Sequence, residues 1–288
     1  MDAYLIPAVD GVAYGLLLFV VAAGLTLAFG VGDVLNLAHG TLFAFGAYAA
    51  AKISDGTWLS LALAVLVGTA AASAGGAVLS VMLVPIAGRG HLAQALLTFG
   101  IALVVGDRLI ALFGKDDLPV VIPASLDRPV DLAGHNYPGY RLAFLGVATL
   151  IAIALSVVVT KTRAGSLVRA TVDDRDMVAT LGVNPMTVRT GVLAVAGGLA
   201  GLAGALGAPI IGPGPRTADT VLMLSLVVVV LGGLGSIGGA LVAAVAVGEI
   251  QTVGVTAAPA LAPFALFGAM AIALAARARG LLPSGRSA

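Results

Sequence analysis

The chain has 288 residues, of which 60% are hydrophobic and 10% charged, with a net charge of +1 and a mean hydropathy of +1.10. A soluble domain carries about 25% charged residues, so there is no room for a water-soluble catalytic domain, and the near-neutral balance lacks the basic field that nucleic acid requires. The absence of cysteine excludes a disulfide framework and a cysteine-based metal site.

A bilayer core about 30 Å thick takes roughly 20 apolar residues per helix. Cutting the chain at charges, prolines and glycine clusters predicts spans at 11–28, 35–51, 59–86, 92–113, 142–160, 188–210, 221–234, 237–255 and 261–276. The fold class is therefore all-α, a polytopic transmembrane helical bundle of eight to nine spans forming one domain over residues 1–288. Asp2 and Asp10, with no Lys or Arg, precede the first apolar run, which reads as a retained span and not a signal peptide.

The second span opens with Asn36, His39 and Gly40 near its inner end. A charge at a span centre costs roughly 2.5–3.5 kcal/mol on insertion scales, so each polar group there needs a reason. For His39 a neutral hydrogen bond across helices and a role lining a translocation pathway carry equal weight. In the third span Ala74, Gly75 and Gly76 interrupt a long uncharged run, predicting a tilt or break. Asp107 and Arg108 fall near the outer end of the fourth, where snorkelling or pairing is expected. The loop 114–140 holds Pro119, Pro123, Pro129 and Pro138 around Val120, Val121 and Ile122, which predicts short extended structure on the outer side.

The loop 161–188 carries helix signals of its own. Thr171 as cap, Asp173 and Asp174 at the positive helix end and Gly182 as stop predict a short crosswise helix over 171–181. Met177, Val178 and Leu181 form an apolar patch on it. Asn184 as N-cap and Pro185 behind it start the next span, where Gly197 and Gly201, with Gly204 on a second face, allow close helix packing. Gly233, Gly235 and Gly239, in the run 232–239, belong either to packing at a tight turn or to a break facing a cavity or partner. Glu249 lies in the outer half of the eighth span, where snorkelling or pairing is again expected, and it is a further candidate for the pathway.

Lys and Arg concentrate on cytoplasmic loops. Nine spans with the N-terminus outside and the C-terminus cytoplasmic put nine basic residues inside and five outside, Arg108 being intramembrane. No phosphate-binding loop occurs: Lys115 follows Gly114, but Asp116 stands where Ser or Thr is needed. No zinc-protease or serine-hydrolase motif occurs either, so the chain has no catalytic site and binds no cofactor or metal by those chemistries.

Three stretches make the chain resemble the permeases of branched-chain amino-acid ABC importers: 32–40 with Gly46, Ala47 and Tyr48; Arg169 and Ala170 through Met177, Ala179, Leu181, Gly182 and Val183; and 231–240. The first is similar to the shorter of the two paired permeases, the H type. The resemblance implies an inner-membrane subunit that pairs with a second homologous permease. It implies two cytoplasmic ATPases, which use the ATP, and an extracytoplasmic binding protein that delivers substrate. Ala170, Asp174, Met177, Ala179, Leu181 and Gly182 are then the ATPase-coupling residues. A stand-alone secondary transporter or channel is the alternative reading, and urea, amides or other amino acids are alternative substrates.

Overall fold

The computed structural model describes residues 4–32, 34–132, 134–233 and 235–278. Asp2, Asp33, Leu234, Arg279 and Arg286, which the readings above use, lie outside the described residues. Within them every predicted span falls on a helix: α1 (Leu5–Gly32), α2 (His39–Ile53), α3 (Trp58–Met82), α4 (His91–Phe113), α5 (Gly139–Lys161), α8 (Pro185–Ile211), α9 (Thr217–Gly232), α10 (Ile237–Glu249) and α12 (Ala262–Ala278). Between α5 and α8 lie α6 (Arg163–Asp173) and α7 (Arg175–Thr180); α11 is the single turn Val255–Ala257. Among the described residues six helices are long and apolar enough to cross a bilayer, α10 through its extension to Ala257, while α9 is apolar but shorter. The architecture is an all-α, polytopic helical bundle.

Four features differ from those read in the sequence. Helix α1 begins before Asp10 because that carboxylate is neutralised by Arg141 at 2.5 Å. Helix α2 begins at His39, after irregular backbone held from two sides: the Asn36 side chain accepts from the Ala38 N–H, and Thr98 of α4 accepts from the Leu37 N–H and donates to the Leu35 carbonyl. The cluster Ala74–Gly75–Gly76 does not break α3, which runs unbroken to Met82 before a 3₁₀ turn at Val84–Arg89. The predicted helix over 171–181 is two helices, hinged at Asp174.

Helices α1 and α8 form the axis of the bundle, with 78% and 67% of their most apolar stretches buried. A Cβ on Gly197 would fall on the Ala72 carbonyl of α3, and one on Gly204 on the Phe43 carbonyl of α2, while Gly46 of α2 faces the Gly201 carbonyl. Interhelix van der Waals packing at this distance is available only to residues without side chains. Gly75 and Gly76 serve the same end, meeting Leu42 and the Leu193 carbonyl. Helix α1 closes the other side, burying Leu17, Leu18, Phe19, Val21 and Leu25 completely.

The loop 114–140 contains the expected extended structure as an antiparallel hairpin, β1 (Pro129–Leu132) and β2 (His135–Pro138). Tyr137, fully buried, donates to Asp10 at 2.7 Å, and Tyr140 donates to the Leu206 carbonyl at 2.6 Å. Burial first, and the Asp10 carboxylate second, push the Tyr137 hydroxyl above its ordinary range, so it remains a donor at neutral pH. The hairpin is thereby tied to α1, and the first turn of α5 behind it to α8.

Candidate functional site

The residues singled out in the sequence form three separate groups. The first surrounds the start of α2. His39 is wholly buried, and its Nε2 lies 2.9 Å from the Val21 carbonyl of α1. That bond requires the proton on Nε2, leaving a lone pair on Nδ1. Within the described residues Nδ1 has no partner, nor do the buried Thr26 hydroxyl and Gln94 Oε1. Asn36 is equally buried. Gly40 meets α9, since a Cβ there would fall on the Ala218 carbonyl. Asn36, His39 and Gly40 thus knit irregular backbone into the bundle and are closed to solvent in this conformation.

Glu249 stands elsewhere. It ends the regular part of α10, just before a π-helical turn at Ile250–Gly254, a distortion frequent at functional sites. Its carboxyl carbon lies 2.7 Å from where a Cβ on Gly11 would sit, beside Thr252 Oγ1 at 2.6 Å. Gly11 and Val21 are ten residues apart on α1, so Glu249 and His39 are separated by about 15 Å along that helix. They do not form one cluster.

The third group is α6–α7. Thr171 does not start the helix: its hydroxyl donates to the Leu167 carbonyl inside α6. Asp174 takes the capping role instead, accepting from the Met177 N–H at 2.9 Å. Arg169 reaches back to the Val159 carbonyl, and Gly165, where a Cβ would strike that same carbonyl, holds α6 tightly under the end of α5. Gly182 ends the unit with φ of +83°, a left-handed conformation natural to glycine. The predicted apolar patch divides: Val178 is buried, whereas Met177 is 49% and Leu181 73% exposed. Asp174 and Ala179 are also exposed, and Ala170 is half-buried. The side chains of Asp173, Arg175 and Asp176 lie outside the described set.

The glycine stretch after α9 is a tight turn. Gly233 and Gly235 have φ of +97° and +82°, so their role is backbone conformation and not helix packing. Gly239 abuts the Gly232 carbonyl, and Ser236 caps α10 by accepting from the Gly239 N–H.

Sequence reasoning missed two features. Thr98, a polar residue inside an apolar span, is buried against the 34–38 segment, and Gln94, one turn earlier on α4, is buried as well; their isolation among apolar neighbours was the available signal. An apolar cleft of about 660 Å³ also opens between α2, α3 and α4, lined by Leu42, Phe45, Gly75, Leu79, Gly100 and Val104. No sequence pattern announces a cleft made by three helices far apart in the chain.

Comparison with known proteins places these features in a family. No solved structure matches the chain. It is 26% identical over 255 residues to the high-affinity branched-chain amino acid transport system permease protein LivH of Escherichia coli strain K12, covering 83% of this chain and 82% of that protein. Its identity to the LivH permease of Salmonella typhimurium is 25% over 257 residues, or 84% and 83% of the two chains. The family model described as the permease component of branched-chain amino acid transport systems matches residues 8–275. The chain belongs to that permease family.

Proposed function

We propose that this chain is one membrane-spanning subunit of an ABC importer that carries leucine, isoleucine and valine across the inner membrane. Its N-terminus faces outward and its C-terminus the cytoplasm. A second homologous permease completes the path, two cytoplasmic ATPases hydrolyse ATP, and an extracytoplasmic binding protein delivers the substrate. The chain itself catalyses nothing and binds no cofactor.

The observation that carries this reading is the α6–α7 unit. A soluble-facing segment that leaves Met177 and Leu181 exposed, yet is anchored through Val178, Gly165 and Arg169, has the form of a lever. An ATPase groove that grips Met177 and Leu181 can transmit its closure to α5 and α8, to which the unit is joined at each end. The missing phosphate loop explains why that partner is needed. Glu249 and the π-helical turn beside it are the strongest pathway candidates, because a helix distortion of a kind frequent at functional sites stands next to a carboxylate. Asn36, His39 and Gly40 support that pathway by fixing the entry of α2.

Affinity purification of the tagged chain from native membranes tests the assignment. Stoichiometric recovery of two ATPase subunits and a second permease is expected. Recovery of the chain alone, with ion-coupled uptake that needs no ATP, would establish the stand-alone transporter instead.

A further inference from the structure

Helix α4 is the least enclosed of the six candidate spans: only 11% of its most apolar stretch is buried. Leu92, Leu96, Leu103 and Val104 are each more than half exposed, as is Leu112. Leu92, Leu96, Phe99, Leu103 and Asp107 follow one another at intervals of three and four and so share a stripe. Exposure of apolar side chains alone is what lipid requires, and α5 shows it, with exposed Leu150, Ile153 and Val157 and no charge beyond its terminal turns.

Helix α4 differs from α5 in its charges. Asp107 and Arg108 are both exposed, and among the described residues neither enters an ion pair. No other candidate span exposes a charged side chain more than one turn from its ends, within those same residues. Asp107 lies six residues from Phe113, about 9 Å inside the helix end. Arg108 can snorkel that far; a carboxylate on one methylene cannot. Lipid is therefore the wrong cover for this face.

We propose that the stripe on α4 is the seam against the second permease subunit. This rests on the paired-permease reading above. Two related permeases facing each other across an axis normal to the membrane bring groups of equal depth together. The partner at this seam accordingly presents polar or charged groups at the level of Asp107 and Arg108. Gly100, whose Cβ position meets nothing within 4 Å, and the neighbouring cleft leave space for a helix of the partner to approach closely.

The test uses the native complex. Leu103 is replaced by the photo-crosslinking residue benzoylphenylalanine, with Leu150 of α5 replaced likewise as control, and the tagged chain is irradiated in membranes and purified. Crosslinking to the second permease from position 103, several-fold above that from position 150, is expected. Crosslinking to lipid alone from position 103, or to the permease from position 150 only, overturns the seam. Absence of any second permease from the unirradiated, unsubstituted complex overturns the paired reading and the seam with it. The double variant D107L/R108L gives an independent reading. A lipid-facing helix tolerates or prefers leucine there, whereas a seam predicts several-fold lower recovery of the second permease at an unchanged melting temperature of the chain itself.

Discussion

Helices α8 and α4 are of similar length and apolarity, yet α8 is enclosed and α4 stands almost free. In α8 the side chains have been reduced to hydrogen wherever a neighbouring carbonyl approaches, as at Gly197 and Gly204. In α4, Gly100 and Gly106 face open space, and charges remain on the surface. The glycines named carry different information in the two helices: Gly197 and Gly204 record contacts already made within the chain, Gly100 and Gly106 contacts still to be made.

The largest effect should come from closing the glycine contacts of α8. Gly204→Leu drives a side chain into the Phe43 carbonyl and should cost about 3 kcal/mol or more, measured as loss of folded protein in detergent. Gly106→Leu on α4 should leave that stability within about 0.5 kcal/mol. Comparable losses at both positions would erase the distinction. Next in size, Met177→Asp with Leu181→Asp should abolish stimulation of uptake by ATP and release the ATPases, with little change in the chain's own melting temperature, because both residues are exposed. Retained coupling would contradict the lever.

Smaller effects are expected where single hydrogen bonds hold the bundle's ends. Tyr137→Phe removes a donor to the Asp10 carboxylate and should cost about 1.5 kcal/mol, read as earlier thermal unfolding. His39→Ala removes the link to Val21 and the packing against Gly24, with an expected cost of about 2 kcal/mol. Uptake normalised to folded protein should be unchanged if His39 is a support and reduced if it lines the pathway.

Hydropathy made the helical class, the position of each segment and the hairpin region legible in the sequence, because a bilayer demands apolar length and prolines cannot sit in regular ladders. Capping chemistry was legible at Asn184 and Gly182, which act through adjacent backbone. It failed at Thr171 because Thr162 and Asp174 cap better-placed helices on either side. The boundaries at Asp10 and at 34–38 could not be read because Arg141, Tyr137 and Thr98 lie 61 to 131 residues away in the chain. The separation of His39 from Glu249 depends likewise on how α1 threads between them, which no local pattern encodes.

The most direct test of the central claim is leucine uptake into proteoliposomes containing the purified complex and the binding protein, compared with liposomes containing this chain alone. Uptake that requires enclosed ATP and occurs only with all subunits present is the predicted result. Equal uptake by the chain alone, without ATP, would contradict the account.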